Sequence, residues 1–129
     1  MDAEAIRDVF RGLGFIQIRR MFGGQGIYQG EVMFALEAYG ELYLKADDRT
    51  VESFRERGSR PFSFENRDGR VTATSYWLMP ESALDDPDEA AGLAEIALQA
   101  ARRAKAAKAR KSPKGSRRRS QPPDPRSAT

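Results

Sequence analysis

Cysteine and histidine are both missing from the chain. Their absence removes disulfides, thiolate and imidazole metal ligands, thiol nucleophiles and the commonest general base. Long apolar runs are missing as well. Nothing approaches the roughly 18 consecutive apolar residues of a membrane span, and the N-terminus has no basic stretch leading into an apolar one. Neither a membrane helix nor a signal peptide is expected, and the cytoplasm is the default compartment. Acidic residues are scattered through helices and turns with no spacing that converges two of them, so they read as solvated surface. Enzymatic activity, a cofactor and a metal site are accordingly not expected.

What is present is charge, unevenly divided. The 129 residues suffice for one core but are short for two. Residues 1–100 hold 11 Lys/Arg against 18 Asp/Glu, a net −7, while residues 101–129 hold 11 against 1, a net +10. An acidic body with a basic tail implies an anionic partner for the tail: nucleic acid, an acidic protein surface, or the body itself.

The run Arg20-Met21-Phe22-Gly23-Gly24-Gln25-Gly26-Ile27-Tyr28 sets three glycines among aromatic and apolar residues between two extended patterns. Glycines so placed point to a bulge, a sharp bend or a ligand-facing loop. A dinucleotide fingerprint fails on spacing: Gln29 stands where the third glycine belongs, and a strand, not a helix, follows. Geometry is the favoured role of these glycines.

Asp2 caps a first helix with Ile6, Val9, Phe10 and Leu13 on its apolar stripe, ended by Gly14. Three strands joined by tight turns follow, up to Lys45. In the second of them Val32, Phe34, Leu36 and Ala38 alternate with Met33, Ala35, Glu37 and Tyr39, and in the third Leu42 and Leu44 alternate with Glu41, Tyr43 and Lys45. Asp47-Asp48 opens a short helix ended by Gly58, and a hairpin pairs Pro61–Glu65 with Arg70–Leu78 around Asn66–Gly69. Tyr76 and Trp77 in that hairpin read as packing residues rather than base-stacking ones. Asp86-Pro87-Asp88-Glu89 starts a long helix with Ala90, Leu93, Ala97, Ala100, Ala101 and Ala104 inward and Ile96 beside them. The helix should reach Lys111 and project its last turns into solvent before Ser112-Pro113 breaks it. Residues 112–129 carry no apolar periodicity and are expected to be disordered.

In that order of elements the chain resembles the N-terminal domain of the TfoX/Sxy family, bacterial proteins linked to natural competence. The resemblance rests on the motif residues Arg20, Met21, Phe22, Gly23, Gly24, Gly26 and Tyr28, and on Met33–Leu36, Leu42–Lys45, Pro61–Phe64 and Ser75–Pro80 at the expected separations. It covers about residues 4–104, dividing the chain into a domain at 1–104 and a basic helical extension with tail at 105–129. It implies an α+β fold, a two-layer sandwich of helices on an antiparallel sheet in the order α-β-β-β-α-β-β-α. It also implies a regulatory, non-enzymatic role, exerted in the best-known family members together with the cyclic-AMP receptor protein. The second, helical domain of full-length members has no counterpart in this sequence, and the family offers no catalytic residues to carry across.

The functional expectation is a regulator whose body binds a protein partner such as a transcription factor, and whose tail attracts DNA or RNA. The phosphate-contacting candidates are Arg102, Arg103, Lys105, Lys108, Arg110, Lys111, Lys114, Arg117, Arg118 and Arg119. A different class of function is a protein-interaction module, or a homodimer, with no nucleic-acid role; Tyr28, Met33, Tyr39 and Tyr43 would then form the docking face. In a third arrangement the tail folds back on the acidic body and masks it.

Overall fold

Helix α1 (Ala3–Val9) begins where the sequence places its cap, the Asp2 carboxylate accepting from the Ala5 N–H at 2.8 Å. The computed structural model describes residues 1–21 and 23–111. Strands β1 (Gln17–Met21), β2 (Gly24–Gln29), β3 (Val32–Ala38) and β4 (Glu41–Lys45) follow, then α2 (Val51–Glu56), β5 (Pro61–Glu65), β6 (Val71–Leu78), a 3-10 turn (Glu81–Asp85) and α3 (Pro87–Lys111). The elements come in the expected order, with the first extended stretch folded at its glycines into two antiparallel strands. The sheet is therefore six-stranded, ordered β1-β2-β3-β4-β6-β5 and antiparallel throughout.

That fold at the glycines has two local causes. Gly23 turns the chain at φ +73°, which side chains rarely adopt, and Gly24 lies so close to β3 that a Cβ would overlap the Glu37 carbonyl oxygen. The motif glycines thus let β1 and β2 close onto β3.

All three helices pack on one face of the sheet. Ile6, Val9 and Phe10 of α1 and its C-cap, Phe54 of α2, and Ala90, Ala94, Ala97, Leu98 and Ala101 of α3 meet Ile27, Phe34, Leu42 and Leu44 in one buried cluster. Phe10 and Phe34 touch edge to face with ring centroids 5.4 Å apart. Truncating either to alanine removes a contact of the kind that costs about 3–5 kcal/mol. The stripe of α3 differs from expectation in one respect: Ala94 and Leu98 are inside, and Ile96 is 47% exposed. At about 100° per residue, Ile96 sits roughly 110° from a stripe centred on Ala90 and Ala97.

The alternation expected along β3 is broken. Ile27 pairs with Ala35 but the next residue, Tyr28, pairs with Met33, leaving Phe34 as an extra residue, a β-bulge. Phe34 and Ala35 both join the helix-side core, and Leu36 and Ala38 move to the opposite face beside Met33. Tyr39 leaves the strand pattern too, turning the chain at φ 54° with 90% of its surface exposed. Asp86 caps α3 as its sequence predicts, accepting from the N–H groups of Asp88 and Glu89 at 3.1 and 3.2 Å. No described helix is long and apolar enough to cross a membrane.

Substituting Gly24→Ala should lower the unfolding free energy by about 1–3 kcal/mol through overpacking. By contrast, a Cβ on Gly92 meets nothing within 4 Å, and Gly92→Ala in α3 should raise stability by up to about 1 kcal/mol through helix propensity. Urea unfolding of the two variants checks both signs.

Candidate functional site

Cross-strand pairing decides which side chains share the face away from the helices. Arg19 and Met21 of β1, Gly26 and Tyr28 of β2, Met33, Leu36 and Ala38 of β3, and Tyr43 and Lys45 of β4 fall there, with Tyr76 and Leu78 of β6 opposite the last two. Phe62 of β5 joins them, its ring centroid 5.2 Å from that of Tyr43. Gly26 is the floor of this surface, since a Cβ there would lie 2.7 Å from the Met33 sulfur and 2.9 Å from the Met21 sulfur. Of the docking-face residues expected from sequence, Tyr28, Met33 and Tyr43 lie on this face, whereas Tyr39 sits in the β3–β4 turn.

The open face has an ordered interior. Leu36, Ala38 and Tyr43 are buried by their neighbours, with no covering helix among the described residues. The Tyr76 hydroxyl reaches across β4 and donates to the Met33 carbonyl at 3.0 Å, next to the bulge. Burial, with Tyr28 nearby, pushes the Tyr76 pKa up to about 12, and burial beside Glu41 also raises that of Tyr43. Two cations sit over rings: the Arg19 guanidinium 4.7 Å from the Tyr28 centroid and the Lys45 ammonium 5.2 Å from that of Tyr76. Burial holds the Lys45 pKa below its ordinary value. Trp77 points to the helix side, packed near Phe54 with Arg55 above it.

The basic end of α3 reaches the same end of the sheet from the other side. Arg103 donates to both Asp47 carboxylate oxygens at 2.7 and 3.2 Å, Lys105 pairs with Glu31 at 3.0 Å, and Arg102 donates to the Gln29 side chain at 3.4 Å. Three of the expected phosphate-contacting residues are thus joined to the body. Asp47 also accepts from the Arg49 N–H and the Thr50 hydroxyl, so Arg103 grips a carboxylate already fixed by its own turn. Its pKa is lowered, chiefly by the Arg103 hydrogen bonds. Lys108 and Arg110 are exposed on the last turns of the helix. The Lys111 side chain, Phe22, Lys114, Arg117, Arg118, Arg119 and the expected disorder of 112–129 lie outside the described residues.

A wide depression of about 810 Å³ borders the glycine hairpin, lined by Arg20, Gly23, Gly24, Gln25 and Glu37 together with the first three residues. Glu37, only 6% exposed, is the buried carboxylate of the body. It accepts from the Gln25 amide and the Gly40 N–H, each at 2.9 Å, and pairs with the Met1 amine at 3.5 Å. These bonds join three chain segments and account for a charge so deep in the fold. Among the described residues no cluster of three or more acidic groups could hold a metal ion. The pairing roles of Glu31, Glu37 and Asp47 are not legible in the sequence, because each depends on a partner 12 or more residues away.

A family model for the TfoX N-terminal domain matches residues 8–101. No curated protein sequence matches the chain. The matched span contains the glycine hairpin and both faces of the sheet and stops at Ala101, one residue before the basic run of α3 begins.

Tyr76 should titrate about two pH units later than an ordinary tyrosine near 10. With its folded pKa raised, the stability it contributes is complete below about pH 10 and disappears as pH climbs toward 12. Phenolate absorbance should show a tyrosine phase near pH 12 in the native protein, and Tyr76→Phe should delete that phase at a cost of about 1 kcal/mol for the lost hydrogen bond. Asp47 has the opposite sign: its contribution is complete above about pH 3.9 and is lost as pH falls through its lower folded value. Carboxyl NMR titration should find Asp47 below the ordinary range, and Arg103→Gln should move it upward.

Proposed function

Because the chain belongs to the TfoX N-terminal domain family, we propose that it is a non-enzymatic, competence-related regulator, drawn to nucleic acid by its basic C-terminal segment and to a protein partner by its folded body. The observation that carries the nucleic-acid part is the abrupt change at Ala101. The family-matched domain ends there, and α3 continues without a break as Arg102, Arg103, Lys105, Lys108, Arg110 and Lys111. A helix anchored at Arg103 and Lys105 presents Lys108 and Arg110 from a fixed origin, which spares part of the entropy of ordering them on a phosphate backbone. Contacts of this kind position without reading sequence, so target selection falls to the partner held by the body. A transcription factor is the partner class this division of labour fits, and the cytoplasm is the proposed location.

A second reading has a specific observation in its favour. The open face of the sheet carries Tyr28, Phe62 and Tyr76 with no covering helix among the described residues, which suits a protein-interaction or homodimerisation module with no nucleic-acid role.

The two readings separate by salt dependence. Fluorescence anisotropy of a labelled DNA duplex, titrated at several salt concentrations with the full chain, should give a steep log–log slope. Neutralising Lys108, Arg110 and Lys111 to glutamine should flatten it by about 0.9 for each phosphate contact removed. A slope unchanged by the triple variant removes the helix end from the mechanism and favours the interaction module.

A further inference from the structure

We infer that the open face of the sheet is a binding site for single-stranded nucleic acid, with Tyr28 and Tyr76 as stacking platforms and Arg19 and Lys45 as the cations that meet the strand. The inference rests on the nucleic-acid reading above but concerns a different surface, inside the family-matched domain.

Three observations favour it. The first is what remains accessible. The aliphatic residues Leu36 and Ala38 are 8% and 7% exposed and Tyr43 is 5% exposed, so the apolar interior of this face is already used within the chain. Besides Met21, 37% exposed, and the half-buried Met33 and Leu78, rings and cations are left at the surface: Tyr28, Phe62 and Tyr76 are half-buried, Phe64 toward the hairpin tip is 45% exposed, and Arg19 is exposed. Unstacked bases gain from aromatic faces and guanidinium groups of this kind.

The second observation is charge. Residues 1–100 are net −7, yet among the strand residues of the open face the one carboxylate is Glu41, and Arg60 neutralises it at 3.0 Å. Arg19 and Lys45 lie over Tyr28 and Tyr76, Lys45 also donating to the Ser75 hydroxyl, and neither pairs with a carboxylate among the described residues. A cationic aromatic surface on an acidic body attracts a polyanion locally while the remainder of the body repels it.

The third is continuity. Tyr28 lies next to Gln29, which accepts from Arg102, and the β2–β3 turn carries Glu31, which holds Lys105. A strand leaving the face past Tyr28 therefore arrives at the basic end of α3. Tyr28 on β2 and Tyr76 on β6 are three strand spacings apart, about 14 Å at 4.8 Å each, and Met33 between them is joined to Tyr76 by the hydroxyl bond. A duplex cannot use such a surface, because its bases stay stacked on one another.

The test uses the full chain with three fluorescein-labelled probes: a 12-nucleotide oligo(dT), an oligo(U) of the same length, and a mixed-sequence DNA duplex of equal length. The expected result is tighter binding of the single strands than of the duplex. Arg19→Ala with Tyr28→Ala should weaken single-strand binding by at least about fivefold, the lower range for loss of one stacking contact, and change duplex binding by less than twofold. Tyr28→Phe keeps the ring and should retain single-strand affinity, and circular dichroism confirms that each variant is folded. If the double variant instead misfolds, ultraviolet crosslinking of wild-type protein to a 4-thiouridine oligonucleotide decides, with adducts expected on the peptides carrying Tyr28 or Tyr76. Adducts confined to residues after Ala101, or a folded double variant with undiminished single-strand affinity, overturn the inference. The latter would assign the aromatic face to a protein. Loss of binding on neutralising Lys108, Arg110 and Lys111, with Arg19 and Tyr28 irrelevant, leaves the helix-end reading standing and this one refuted; the reverse pattern does the opposite.

Discussion

At Phe34 the third strand carries one residue more than its neighbour, so Phe34 and Ala35 both point into the helix-covered core and the later side chains of the strand change sides. Both faces of the sheet depend on that offset. On the covered side it adds a phenyl ring against Phe10 without interrupting the contact with α3. On the other side it brings Leu36 and Ala38 beneath Met33, Tyr43 and Tyr76, giving the open face an interior of its own. The Tyr76 hydroxyl bond to the Met33 carbonyl closes the arrangement across three strands. Bulges sharpen local twist and redirect side chains, and here one bulge separates a structural face from an accessible one.

Charge in this protein is organised by the same sheet. Three carboxylates that look alike in sequence have different tasks. Glu37 holds the glycine hairpin to the β3–β4 turn, Asp47 anchors α3 through Arg103, and Glu31 receives Lys105. The Arg103 pair is partly shielded, with side chains 34% and 16% exposed, and bidentate geometry makes it the firmer of the two helix pins. The Lys105 pair is open to solvent and contributes little by itself. Basic residues of α3 thus fall into two kinds: those that fix the helix end and those, Lys108 and Arg110, that the fixed end presents.

The buried carboxylate is satisfied by amide donors and an amine, and the shifted tyrosines owe their pKa values to burial beside other side chains of a packed sheet face. On the proposed reading these residues serve recognition, by flat aromatic surface and by distributed positive charge.

Local rules acting over a few residues were enough for the sequence to determine the helix caps at Asp2 and Asp86, the hairpin around Asn66–Gly69 and the order of the elements. Each depends on backbone preferences or on periodicity within one element, which a linear chain displays directly. The same rules misassigned Leu36, Ala38 and Ile96. A bulge is invisible until a partner strand supplies the register, and the edge of a helical stripe is set by the surface it meets. Only the tertiary structure could decide that Arg103 belongs to Asp47, 56 residues away, or that Arg19, Tyr28, Lys45 and Tyr76 share one face, because contacts between distant segments follow from strand pairing and packing rather than from spacing along the chain.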